Sequence, residues 1–203
     1  MLPTATIHFK RTNRRTVYMS QTKKILLITG SPRSKGNSTT LANALAKGAE
    51  EKGHTILRFD SAKNNVLPCT ACDACWSKGT PCIFNDGFTE LAPLLEQADV
   101  IVFASPVYWG TFSAQIKSAI DKFYSYMAEK SQTSIAGKQS ILLMTGAEKE
   151  ESLFTGCIET YKAMLHFLKW NDLGSIIAKG LWAEGDIESS DYLAKAEALG
   201  KSL

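Results

Sequence analysis

Short, nearly unbroken apolar runs alternate along the chain with stretches in which apolar residues recur every three or four positions. KILLITG (24–30) is an apolar run ending in glycine, the pattern of a strand covered on both faces. Between Ser38 and Lys52, Leu41, Leu45 and Ala49 fall at helical spacing, and Gly53 stands where a helix would stop. TILRFD (55–60) predicts a second strand. Phe88, Leu91 and Leu95 mark one face of a helix that closes before Asp99, and DVIVFASP (99–106) predicts a third strand. Ile116, Ile120, Phe123 and Met127 predict an amphipathic helix from about Ser113, and KQSILLMTG (138–146) a fourth strand. Phe154, Ile158, Tyr161, Leu165 and Leu168 line a longer helix. A fifth strand is expected at 174–181 and a last helix near 190–201. Residues 61–87, rich in Cys, Gly, Pro and Asn, read as a loop.

Strand and helix therefore alternate five times, with neither a repeat nor a linker long enough to separate domains. The alternation implies an α/β protein: one domain over 23–203, an open parallel sheet with helices on both faces. In such sheets ligands sit beyond the carboxyl ends of the strands, where the strand order reverses. The loops after strands one, three and four are the ones to interrogate.

Composition adds less until charge is divided along the chain. The 203 residues carry 23 Lys plus Arg against 20 Asp plus Glu, a formal net charge of +3. Nine of the basic residues, and no acid, precede Glu50. Residues 1–22 are basic, rich in Thr and free of acid, the composition of an organellar transit peptide. They lack an amphipathic pattern, which favours a disordered extension or a start assigned too early, with Met19 as the initiator. Without residues 1–18 the net charge becomes −1, since Lys10, Arg11, Arg14 and Arg15 are lost. Neither a nucleic acid nor a membrane is then expected as a partner. No run approaches the roughly eighteen consecutive apolar residues of a membrane helix. Five cysteines without a secretion signal point to a reducing compartment, the cytoplasm, where clustered thiols serve metal or redox chemistry more often than disulfides.

The first loop, Gly30-Ser-Pro-Arg-Ser-Lys-Gly-Asn-Ser-Thr39, offers four hydroxyls, an amide and two cations where a helix N-terminus exposes unpaired N–H groups. That is phosphate-binding chemistry; the plainer reading is a capped turn with incidental hydroxyls. It is neither a Walker loop nor a G-x-G-x-x-G dinucleotide fingerprint, and a phosphate monoester is its natural guest. The third-strand loop, Ser105-Pro-Val-Tyr-Trp-Gly-Thr-Phe-Ser113, sets Tyr108 and Trp109 beside Gly110. Aromatics there either contact a planar ligand or simply pack.

The motifs GSPRSKGNST and SPVYWGTFSAQIKSAIDKF together resemble, over residues 24–127, the NADPH-dependent FMN reductase group of flavodoxin-like proteins. The resemblance implies a five-stranded parallel sheet in the order 2-1-3-4-5. It implies that Ser31, Arg33, Asn37, Ser38 and Thr39 hold the FMN phosphate. Pro106, Val107, Tyr108, Trp109 and Gly110 would lie along the isoalloxazine with Ser113 nearby, and Thr145, Gly146 and Ala147 would close its other side. Lys122 stands where the family commonly has arginine, and no function is assigned to it. The resemblance further implies NAD(P)H as co-substrate and a homodimer or homotetramer. Hydride transfer would be ping-pong through FMN at one shared site, with no catalytic side chain needed. The acceptor is left open among quinone, free flavin, metal ion, nitro or azo compound, and protein.

Cys69, Cys72, Cys75 and Cys82 form C-x2-C-x2-C-x6-C, a spacing that can wrap a four-iron four-sulfur cluster. It looks like the motif of the iron-sulfur flavoproteins, a branch of the same group, and also like flavin reductases that keep similar cysteines without a cluster. Three readings stay open: a 4Fe-4S cluster in an FMN-containing electron carrier, free or redox-sensing thiols, and, more weakly, zinc. Cys157 on its amphipathic helix reads as a buried thiol, and His54 and His166 as structural.

Overall fold

A computed structural model describes residues 22–203; the expectations for residues 1–21 lie outside them. The elements are β1 (Lys24–Thr29), α1 (Asn37–Glu50), β2 (Thr55–Asp60), α2 (Ala74–Lys78), α3 (Gly87–Gln97), β3 (Val100–Tyr108) and β4 (Thr111–Phe112). They continue with α4 (Ala114–Asp121), β5 (Gln139–Thr145), α5 (Thr155–Leu168), β6 (Asn171–Ala178) and α6 (Tyr192–Lys201). The strands order as β2-β1-β3-β5-β6, with β4 paired to β3. All four pairings along that path are parallel. The five parallel strands thus follow the 2-1-3-4-5 order of the flavodoxin-like fold.

The unbroken apolar runs are explained by burial on both faces. Leu26 and Ile28 of β1, Ile101 and Phe103 of β3, and Leu142 and Met144 of β5 point into one core with α3, α4 and α5. Their neighbours Ile25 and Leu27, Val100 and Val102, Ile141 and Leu143 point into the other, beneath α1 and α6. Successive side chains alternate between the two cores as the pleat requires. Among the described residues no helix is long and apolar enough to cross a membrane.

Three local differences from the sequence expectation bear on function. The helix expected to run through Met127 ends at Asp121, and residues 122–127 tighten into a 3₁₀ turn. There Lys122 is drawn inward and Met127 is left exposed. Within the 61–87 loop, residues 74–78 form the short helix α2. The last strand begins at Asn171, three residues early, and absorbs the difference in a register shift opposite Ser140 to Leu142.

Candidate functional site

The loops after β1, β3 and β5 and the segment after β6 enclose an open cleft of about 320 Å³ at the carboxyl edge of the sheet. Ser31, Arg33, Gly36, Asn37 and Ser38 line one end. Ser31 Oγ bridges the Arg33 main chain, donating to its carbonyl and accepting from its N–H, both at 3.1 Å. Gly36 then turns the chain into α1, and a Cβ there would stand 2.3 Å from Ser31 Oγ. The helix N-terminus has no side-chain cap and no acidic residue in its first turn, so its N–H groups and positive dipole end face the cleft. Ser38 is 1% exposed and its Oγ has no hydrogen-bond partner. A buried hydroxyl left open costs about 1–3 kcal/mol, and an anionic oxygen is the group that would satisfy it.

Not every residue expected here faces the cleft through its side chain. Asn37 Nδ2 donates to Ala183 O at 2.8 Å, and its Oδ1 accepts from Gly185 N–H at 3.2 Å and Ile187 N–H at 3.4 Å. Its side chain therefore fastens the segment after β6 to α1. Thr39 and Ser113 lie outside the lining. Ser113 is fully buried, with its N–H bonded to Ser105 Oγ and its Oγ donating to Gly30 O at 2.6 Å. It fixes the β1 loop against the β3 loop from beneath.

Pro106, Val107 and Tyr108 form one wall and Thr145, Gly146 and Ala147 another. Val107–Tyr108 pair antiparallel with Thr111–Phe112, leaving Trp109 and Gly110 as a two-residue hairpin turn with φ of 50° and 77°. Both are positive, as a type I′ turn requires. Gly110 accepts that conformation readily, whereas Trp109 is held in it by the strands on either side. Its ring projects from the tip into solvent, outside the lining. Leu181 and Trp182, which sequence reasoning missed, supply the remaining wall. Asp86 plays no part here, but Asp186 does: its Oδ2 accepts from the Trp182 and Ala183 N–H groups at 2.8 and 2.7 Å. Among the described residues, the ionisable side chains lining the cleft are Arg33 and Tyr108.

The four loop cysteines lie apart from this cleft and share a cavity of about 30 Å³ with Lys122 and Tyr124. Left-handed turns at Ala71 and Asp73, both with φ 52°, bring Cys69, Cys72 and Cys75 round to it. All are free thiols; Cys69 and Cys72 are exposed, Cys75 and Cys82 half-buried. Burial pushes the Cys75 thiol up from its ordinary value, against the pull of the Trp76 N–H. Among the described residues no three Cys, His, Asp or Glu side chains stand close enough together to hold one metal ion. The thiols are gathered at one cavity but not drawn to ligand distance. Cys157 is buried, its thiol donating to Phe154 O, and His54 Nδ1 accepts from Lys23 N–H.

The comparisons with known proteins bear on the family and the fold. An iron-sulfur flavoprotein of Archaeoglobus fulgidus is 33% identical over 184 residues, covering 89% of this chain and 78% of the relative. A putative NAD(P)H-dependent FMN-containing oxidoreductase of Bacillus subtilis is 24% identical, covering 77% and 85%. Among solved structures, an NAD(P)H:quinone oxidoreductase from Methanothermobacter marburgensis superposes with a TM-score of 0.71 at 19% identity, over 90% of this chain and 97% of that one. A family model described as NADPH-dependent FMN reductase matches residues 23–176, from β1 through most of β6, and the chain belongs to that family of flavodoxin-like oxidoreductases.

Proposed function

We propose that the cleft binds FMN and serves a nicotinamide donor and an electron acceptor in turn, as a reductase of the flavin or quinone type. The observation that carries this reading is the unpartnered Ser38 hydroxyl at an uncapped helix N-terminus. It fits a phosphate, with Ser31, Arg33 and the main-chain N–H groups of Asn37 and Ser38 completing the cradle. Asn37 contributes through its backbone, and Thr39 and Ser113 by shaping the loop. Pro106, Val107, Tyr108, Thr145, Gly146 and Ala147, together with Leu181 and Trp182, would hold the ring system. When bound, FMN supplies hydride acceptance and donation. The protein's own part in this reading is to bind and orient, with no catalytic side chain needed.

Tyr108 and Trp182 are exposed at the mouth, and donor and acceptor would enter through it in succession. Double-reciprocal plots at several fixed acceptor concentrations are expected to be parallel; intersecting lines would overturn the shared site. Exposed Tyr108, Trp109 and Leu153 beside the cleft support a homodimer or homotetramer, in a cytoplasmic setting that keeps the thiols reduced.

The shared cysteine cavity and the names of the archaeal relatives favour a second reading, an FMN-containing electron carrier. Cys69, Cys72, Cys75 and Cys82 would hold a 4Fe-4S cluster and pass single electrons to a small-molecule or protein acceptor. Iron and sulfide analysis of anaerobically purified protein separates the two. Near-stoichiometric cluster with negligible NAD(P)H oxidation supports the carrier, and flavin bands alone with NAD(P)H turnover support the reductase.

A further inference from the structure

The loop that carries the four cysteines is closed at its base by a single carboxylate. Asp86 Oδ2 accepts from Leu67 N–H at 3.0 Å, two residues before Cys69, and Asp86 Oδ1 accepts from Phe88 N–H at 2.9 Å, at the start of α3. The same Oδ2 is ion-paired with Lys122 Nζ, and both side chains are only 3% exposed. Lys122 reaches this position across the Phe88 ring, whose centroid lies 5.7 Å from its ammonium, and it lines the cavity that the thiols line. Two residues on, Tyr124 stacks against Trp76 with ring centroids 5.1 Å apart, and Trp76 Nε1 donates to Tyr124 O at 3.3 Å. Trp76 directly follows Cys75. One short segment, 122–124, thus holds both the base of the loop and the helix that carries its third cysteine.

A buried ion pair adds little net stability over an apolar pair of the same size. What this one provides is geometric, because its carboxylate ties three chain segments together at one point. We infer that Asp86 and Lys122 are positioning residues for the four-cysteine site, closing the loop so that Cys75 and Cys82 face the shared cavity before any metal is bound. The inference rests on the reading that the four cysteines act as one site. Neither residue lines the FMN cleft.

The test uses the full chain with FMN bound, purified anaerobically, its iron and sulfide measured and metal then removed with a chelator. Modification by an aromatic disulfide reagent is followed thiol by thiol. In the native sequence Cys69 and Cys72 react first, Cys75 and Cys82 slowly, and Cys157 last. Asp86→Asn keeps an oxygen for the Phe88 N–H but loses the charge; Lys122→Met removes the cation. Each is expected to accelerate Cys75 and Cys82 by about tenfold or more through opening of the loop. Cys157 stays protected, FMN affinity is unchanged, and Lys122→Arg keeps the slow rates. Unchanged Cys75 and Cys82 rates in a folded Asp86→Asn protein would overturn the inference, as would Lys122→Arg behaving like Lys122→Met. If Lys122→Met fails to fold, seen as rapid Cys157 modification, the comparison of Asp86→Asn with Lys122→Arg decides. Iron-free native protein would remove the cluster reading, and the thiol rates would still judge the positioning.

Discussion

The two edges of the sheet use their polar groups differently. At the amino edge, His54 Nε2 apart, they bond to one another. Lys24 N–H donates to Asp99 Oδ2 at 2.8 Å, and Asp99 N–H returns a bond to Lys24 O at 2.8 Å. Lys23 Nζ reaches Gln139 Oε1, and Lys138 Nζ closes the last turn of α3 by donating to Glu96 O and Ala98 O. Burial pushes the Lys138 ammonium below its ordinary value, partly countered by Asp99 and Glu96, which fits a structural cation with its protons directed at carbonyls. At the carboxyl edge Ser38 Oγ is left open, α1 has no cap, and Tyr108 and Trp182 stand exposed. An edge whose donors and acceptors pair internally contributes to folding. An edge that leaves them open gives up some stability and keeps the capacity to bind.

The sharpest way to break this contrast lies in two adjacent residues of α1. Asn37 is at the binding edge, yet its side chain behaves like those of the other edge, with three hydrogen bonds to residues 183–187. Asn37→Ala is expected to lower unfolding free energy by about 2–3 kcal/mol, the sum of a few net hydrogen bonds and the groups left unpaired. Urea denaturation of the FMN-free protein checks this. A loss below about 0.5 kcal/mol, within the range of ordinary surface substitutions, would mean that the wall carrying Trp182 is not held from α1.

Ser38→Ala is the complementary case and a smaller one. The hydroxyl it removes has no partner in the protein, so stability is expected to hold or rise slightly. FMN affinity should fall about tenfold, one hydrogen bond to an anion. Fluorescence titration with FMN alongside urea denaturation gives both quantities. A stability loss with unchanged FMN affinity would assign the hydroxyl to the fold and remove it from the cradle.

The sheet and the loop proposed to hold the phosphate were legible in the sequence because both are written in contiguous residues. The three central strands are each one apolar run, and the proposed cradle is ten successive positions, 30–39, from the end of β1 into the first turn of α1. What was not legible joins distant positions. Asn37 meets residues 183–187 only after the whole sheet has wound, and Asp86 meets Lys122 across 36 residues. Lys122, unassigned from sequence, faces the cysteine cavity because the helix expected to run on through Met127 tightens where the pair forms. The family resemblance put Trp109 along the ring system. A positive φ on a tryptophan is locally disfavoured, and only the β3–β4 pairing makes it a hairpin tip. The cysteine spacing was plain, but the residues that gather the thiols lie outside the motif.

The smallest effect is expected at the amino edge, from His54. Its ring is 5% exposed, Nδ1 accepts from Lys23 N–H at 3.1 Å, and Nε2 has no partner. Burial, and secondarily the charge of Lys23, hold the imidazole below its ordinary value. The folded protein therefore favours the neutral ring more than the unfolded chain does. Protonation would turn Nδ1 from an acceptor into a donor facing the Lys23 N–H. The stabilising contribution is fully present above the unfolded imidazole's value of about 6.5. As pH falls below that value the unfolded chain binds the proton first, and the contribution is lost progressively until the folded protein also titrates. His54→Asn keeps an acceptor near the position of Nδ1 and cannot titrate in this range. The native protein should lose roughly 1–3 °C in Tm relative to the Asn variant between pH 8 and pH 5. FMN affinity should be the same in both at each pH, since the residue lies at the edge remote from the cleft. A variant whose Tm falls with pH as steeply as the native protein's would show that His54 does not set the acid limb. A pH-dependent change in FMN affinity that disappears in the variant would break the separation between the two edges.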